Sequence, residues 1–418
     1  MSFQQGLSGL NASSKNLEVI GNNVANANTI GAKASRAEFG DMYASAINGT
    51  SIGIGVNLQA VTQQFTQGNI TTTDNPLDLA INGNGFFEVQ NPGGQTLYTR
   101  NGQFQADKDG FITTNAGLKL VGYPATPDGT IQPGAARPLQ LPTGGVAPQP
   151  TSAITVEMNL DARKATTLPA GTPQIDFTNA KTYNDATSVT VFDAKGQDVA
   201  LTYYFQKSAT DTWNVYATAN GSSVKVDGAG NPLPITQIDF PPNGGTPTAP
   251  TGTVPFDVPS TTNTAGAATL PITGIALDLR GATQFGSGFG VTNMTQDGYA
   301  AGLLTGVTVE KSGIVMATYS NGQSKPAGQL ELATFRNPQG LSPLGGNLWA
   351  RSYASGDPTV GTPSTGNIGA LQAGALEESN TDLTGELVDM ITAQRVYQAN
   401  AQTIKTQDQV LQTLVNLR

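Results

Sequence analysis

Apolar positions along the chain keep two different rhythms. Phe3, Leu7, Leu10, Ser14, Leu17, Gly21 and Val24 recur at alternating spacings of four and three, a heptad seam that predicts an amphipathic helix. Ser2 followed by Gln5 matches a capping box and starts it. The far end repeats the rhythm at greater length through Leu383, Leu387, Met390, Gln394, Tyr397, Ala401, Ile404, Asp408, Leu411 and Val415. Val388, Ile391, Leu414 and Leu417 widen that face. Ser379 and Asp382 form a second capping-box pattern, and Glu377, Glu378, Asp382, Glu386 and Asp389 precede Arg395, Lys405 and Arg418, an order that suits the helix dipole. At 1.5 Å per residue the two helices reach roughly 35 Å and roughly 55 Å. Each is marginal alone in water, because most helical stability comes from packing the apolar face. The two seams therefore need each other, or other copies of the chain.

Between the ends the rhythm changes to that of strands. Turn markers stand at Asn82-Gly83-Asn84-Gly85, Asn101-Gly102, Asp109-Gly110, Lys195-Gly196 and Asn321-Gly322, flanked by runs such as GFFEVQ, TVFDAKGQDVALTYYF and IVMATYS. Residues 124–150 and 241–266 are dense in Pro, Gly and Thr and read as loops or boundaries. The expected fold is mainly β and multidomain, with α-helices at both ends. Its expected parts are a terminal helix over 1–28, an extended joint over 29–71 and a β segment over 72–150. An inserted outer β domain over 151–283, a second β segment over 284–358, a linker over 359–374 and a terminal helix over 375–418 follow.

Composition narrows the chemistry. The 418 residues include no Cys and no His, which removes Ser-His and Cys-His nucleophiles, disulfides and the usual ligands of zinc, copper and haem. Charged residues make up 12%, about half the usual share, and a net charge of −9 speaks against nucleic acid. No run of ~20 apolar residues predicts a membrane span. The N-terminus lacks the basic start and continuous apolar stretch of a secretory signal, so the expectation is a cytosolic chain or export without a cleaved signal.

Three motifs invite chemical readings and fail them. Asp107-Lys108-Asp109-Gly110 lacks the remaining ligands of a calcium loop and reads as a tight turn. Gly286-Ser287-Gly288-Phe289-Gly290 lacks the lysine and strand-to-helix setting of a phosphate loop. Asp193 and Asp198, on either side of Gly196, read as solvated hairpin acids. The expectation is no catalytic residue, no metal and no cofactor.

VIGNNVANANTIG, where the first helix dissolves in amides, gives the chain its character. With such a run between a terminal heptad helix and a β body, the chain resembles the rod and hook family of bacterial flagellar axial proteins, and most of all the hook subunits among them. SGLNASSKNLEVIGNNVANANTIGAK, NPLDLAINGNGFFEVQ, YTRNGQFQADKDGF, NGQSKPAGQLELATFRNPQGL and GALEESNTDLTGELVDMITAQRVYQANAQTIKTQDQVLQTLVNLR carry the resemblance. Rod subunits share the ends but lack a domain like 151–283, and hook-filament junction proteins lack the NPLDLAINGNGFF type of segment. Where the family places an aromatic after the glycine of its TxG motif, this chain has Ala32.

The resemblance implies a non-enzymatic subunit polymerising into a curved, flexible tube, a universal joint that passes torque from rod to filament. The terminal helices would form a coiled-coil-like core of that polymer, with Phe3, Leu7, Leu10, Leu17, Val24, Leu383, Leu387, Met390, Tyr397, Ile404, Leu411 and Val415 in its contacts. Asn22, Asn23, Asn26, Asn28 and Gly31 would form the joint between tube and outer shell, because Asn tolerates turn conformations and bonds to backbone without burying charge. Phe39 and Tyr43 resemble the short signal read by the export gate. Implied partners are further copies of the chain, the distal rod, the hook cap, the hook-filament junction proteins and the flagellar type III export apparatus. Neither nucleic acid nor membrane insertion is expected, and the implied location is the extracellular hook on the basal body. A distal-rod-type subunit and a secreted β-rich adhesin are the alternatives.

Overall fold

In the computed structural model, residues 2–43, 53–167, 171 and 174–416 are described. Helix α1 runs Ser2–Ala25 and helix α2 runs Leu383–Asn416. Between them the described residues form strands almost throughout, in two compact units.

The first unit gathers Met1–Thr143, Thr305–Thr318 and Ser324–Arg418. Next to α1, strands β1 (Ser35–Tyr43) and β2 (Gly53–Gln63) pair antiparallel as an isolated ribbon, in register from Ser35 against Gln63. A two-stranded ribbon is barely stable alone, and here α1 packs on it. Gln5 Nε2 donates to Gly53 O at 2.5 Å, and Ser8 Oγ accepts from Val56 N at 3.3 Å. Further on, the run Phe86–Gln90 is buried on both faces. Phe87 and Val89 enter a core with Leu79, Ile81, Leu120 and Leu332. Phe86, on the opposite face, joins Tyr98, Phe335, Leu341 and Trp349 in an aromatic cluster of edge-to-face contacts.

The second unit comprises Gly144–Leu304 and Tyr319–Gln323. Along Ala153–Asp161, Ile154, Val156, Met158 and Leu160 alternate into its core. They meet Tyr203, Phe205, Trp213 and Val215 from the sheet of Asp185–Phe192, Asp198–Ala209 and Thr212–Ala219. Two sheets closing one core make a sandwich. This unit is wider than the expected inserted domain of 151–283. Thr283–Phe285 and Gly290–Gln296 both pair with Ala153–Asp161, which ties the chain to this unit as far as residue 304.

Three local expectations also change. Residues 375–382 are not helical: Ala375–Glu377 is a buried strand pairing with β3 (Ile70–Thr72), and α2 starts only at Leu383. Asp382 rather than Ser379 caps it, its Oδ1 accepting from Thr384 N at 3.0 Å. The stretch 359–374 is no plain linker, since Thr359–Gly361 pairs with Leu332–Thr334 and Ala370–Ala373 with Leu79–Asn82. Asp193 is not solvated. It is fully buried and accepts from the N–H groups of Lys195, Gln197 and Leu270. Asp107 staples its tight turn by accepting from Asp109 N and Phe111 N.

Candidate functional site: the helix pair and the joint beneath it

The helices run antiparallel, and small and polar residues bring them together. A Cβ built on Gly6 would lie 3.0 Å from Ile404 Cγ1, and one on Gly9 would lie 2.9 Å from the Asn400 amide. At the other end Asn23 Nδ2 donates to Glu386 Oε1 at 2.8 Å. Gly6, Ser13, Ile20, Asn23 and Ala393 are buried. A groove of about 760 Å³ runs between the helices and the ribbon, walled by residues 9, 13, 16, 20 and 23 of α1 and 386, 389, 393, 396 and 400 of α2. Each of these precedes a position of the predicted seams by one residue. On a helix with 3.6 residues per turn that is a rotation of roughly 100°. The groove is therefore walled largely from beside the apolar seams rather than by them.

They are left partly in solvent. Phe3, Leu7, Leu383, Leu387 and Leu411 remain 44–50% exposed and Tyr397 37%. Leu10, Leu17, Val24, Met390 and Ile404 are half-buried, and of these Ile404 reaches α1 through Gly6. The side chain of Val415 lies outside the described residues.

Below α1 the amides take up the ends of the backbone. Asn26 Nδ2 donates to Asn22 O at 2.9 Å, and Thr29 N donates to Asn26 O at 3.0 Å, closing the last turn. Asn23 is 4% exposed and clamps the first residue of β1, accepting from Ser35 N at 2.8 Å and donating to Ser35 O at 2.7 Å. Asn28 is exposed. Gly31 has φ +70, and a Cβ there would lie 2.6 Å from Asn101 N, so the position admits no side chain. The neighbouring Ala32 is buried, at 6% exposure. Phe39 is 38% exposed on β1 beside the groove. Tyr43 ends β1, and its side chain lies outside the described residues.

Sequence reasoning missed the residues that tie these segments together. Lys33 Nζ lies 2.6 Å from Glu377 Oε1, and Arg100 Nη1 lies 3.1 Å from Glu377 Oε2, with side-chain exposures of 0%, 0% and 4% for Lys33, Glu377 and Arg100. Gly68 N donates to Glu377 Oε1 at 3.0 Å, and Gly31 N donates to Glu377 O at 2.8 Å. Lys33 also donates to Thr66 O, and Arg100 to Gly83 O. Arg100 Nε has no partner. Burial pulls the Lys33 ammonium below its usual range against the opposing pull of Glu377, and the Arg100 guanidinium is lowered for the same reason. A neutral layer repeats the pattern. Asn380 accepts from Ala34 N and donates to Gln64 O, Thr66 O and Thr66 Oγ1, while Asn347 Nδ2 donates to Ile30 O. The one signal for the ionic cluster is that charges are scarce in this chain, and Lys33 and Arg100 sit in otherwise polar-neutral motifs.

This arrangement ties both terminal segments to the β body. No helix among the described residues is long and apolar enough to cross a membrane. Its place among known proteins comes in two layers. Both ends match models of flagellar axial proteins, "Flagella basal body rod protein" over residues 3–33 and "Flagellar basal body rod FlgEFG protein C-terminal" over 372–417. Between them "Flagellar hook protein FlgE/F/G D1 domain" matches 80–197 and "Flagellar basal body protein FlaE D2 domain" matches 159–299. Against the flagellar hook protein FlgE of Salmonella typhimurium the chain is 40% identical over 423 residues, covering 100% of both. The Escherichia coli K12 protein of the same name gives 40% over 422 residues, again covering 100% of both. A crystal structure of Helicobacter pylori flagellar hook protein FlgE2 aligns with a TM-score of 0.49 at 15% identity, over 73% of this chain and 100% of that one. The chain belongs to the flagellar hook protein family and is a structural subunit of the flagellar hook.

Proposed function

We propose that copies of this chain polymerise through the outward seams of α1 and α2 into a curved, flexible tube that transmits torque from rod to filament. The observation that carries the reading is the offset described above: α1 sets Gly6 and Gly9 against Ile404 and Asn400 of α2, while Phe3, Leu7, Leu383, Leu387 and Leu411 stay partly in solvent. A contiguous exposed apolar stripe on a helix asks for a partner surface. A surface with few charges supports bending, since amide and hydroxyl contacts worth about 1 kcal/mol each can break and re-form as subunits slide. In this reading the chain performs no catalysis. Asn22, Asn23, Asn26, Asn28 and Gly31 form the joint between tube and shell. The distal rod, the hook cap and the hook-filament junction proteins are the neighbours. Phe39 and Tyr43 contribute to recognition by the type III export apparatus, which delivers the chain outside the cell.

The test is electron microscopy after salt-induced assembly, comparing the native chain with the double variant Leu7→Asp, Leu387→Asp. Curved tubes from the native chain alone, with unchanged monomer melting in the variant, are expected. Tubes of equal yield from the variant would move assembly away from the helices.

A further inference from the structure

We propose that the Lys33–Glu377–Arg100 cluster makes the seating of the two terminal segments conditional on each other, so that both ends of the chain dock on the β body together or not at all. The three charges come from three places: Lys33 follows α1, Glu377 precedes α2, and Arg100 follows the strand Thr96–Thr99. Two cations share one carboxylate, so the buried cluster carries an excess positive charge.

Glu377 is the keystone. Its Oε1 accepts from Lys33 and Gly68, its Oε2 from Arg100, and its carbonyl from Gly31. If the C-terminal segment lifts away, Lys33 and Arg100 stay buried with only the Thr66 and Gly83 carbonyls to receive them. Uncompensated buried charge is among the costliest defects a fold can carry, far costlier than the loss of an exposed pair. Releasing the N-terminal segment as well lets Lys33 return to water. If the N-terminal segment lifts first, Glu377 loses both Lys33 and the Gly31 N–H. The amide layer acts in the same sense, because Asn380 from the C-terminal side holds Ala34 N and Asn23 from the N-terminal side holds Glu386. No segment can leave without stranding a group on the other.

Hydrogen exchange of the full-length chain tests this. The amide of Ser35, held by Asn23 of the same segment, reports the N-terminal segment, and those of Ala375 and Glu378, held by Asp78 and Asn69, report the C-terminal one. Glu377→Gln is expected to speed exchange at Ser35 at least tenfold, although the substitution lies in the other segment. Lys33→Glu is expected to do the same at Ala375 and Glu378. Adding Lys33→Met to Glu377→Gln removes one stranded cation and is expected to restore most of the protection. Glu377→Asp keeps the charge and withdraws it slightly, giving a weaker two-ended loosening. Loosening confined to the substituted segment, or a double variant no better protected than Glu377→Gln, would overturn the proposal.

Discussion

The second unit and the terminal helices handle apolar residues in opposite ways. In the second unit Tyr203, Phe205, Trp213 and Val215 are no more than 1% exposed, and each strand's alternation ends in the same core. On the helices an equally regular pattern ends in solvent. Regular patterning therefore establishes that a face will be buried. It does not establish that the same chain will bury it. The sandwich completes itself, while the helix pair is closed by glycine and amide contacts with Ile404 among them, and leaves much of its apolar faces in solvent.

The largest effect that sharpens this contrast is a cavity in the closed core. Trp213→Ala removes a fully buried ring and the donor to Gln284 Oε1, and should cost ~3–5 kcal/mol, read as a lowered denaturant midpoint of the second unit's transition. An unchanged midpoint would mean that this core is not what holds the sandwich.

A middle-sized effect separates the units by pH. In the first unit burial and the neighbouring Glu331 push Glu88 from 4.5 to about 7, with Tyr98, Tyr123, Arg351 and Asp357 around the pair. A carboxyl raised on folding contributes stability below its unfolded value and loses it as pH climbs, here between 4.5 and about 7. In the second unit Arg163 lowers Asp161 to about 2, so its contribution is present at neutral pH and lost as pH falls from 3.8 toward that value. Melting of the first unit should therefore fall between pH 5 and 7, and Glu88→Gln should flatten that slope. A slope unchanged in the variant would remove Glu88 as its source.

The smallest effect is the most telling for the helices. Leu7→Ser, at a position 44% exposed, should shift monomer stability by less than about 0.5 kcal/mol in a thermal melt. A loss approaching that of Trp213→Ala would mean the seam is already buried within one chain.

The existence of both helices was legible, because a heptad rhythm over many residues admits no strand reading. The facing side was not. Period locates an apolar stripe but not what lies opposite it, and Gly6, Gly9 and Ser13 gave no apolar signal to mark the true contact. The ionic cluster was hidden for a different reason. Glu377 stands in a run of acids that reads as a helix start, and only the pairing of Ala375–Glu377 with β3 turns it inward. The asparagine run was legible as a helix end, yet only the fold distinguishes the buried clamp Asn23 from the exposed Asn28. The β character of TVFDAKGQDVALTYYF was plain, while the reach of that unit to residue 304 depended on pairing partners far away in sequence.

The one-residue rotation between the inner and outer faces of the helices also bears on how long an assembly grows. Helices that quenched each other's apolar faces would make a finished object with nothing left to offer. If copies join through these stripes, as proposed, every copy that covers a neighbour's stripe brings an identical bare stripe of its own. Contacts of that kind would carry no stopping rule, and length would have to be set by something other than the stripes.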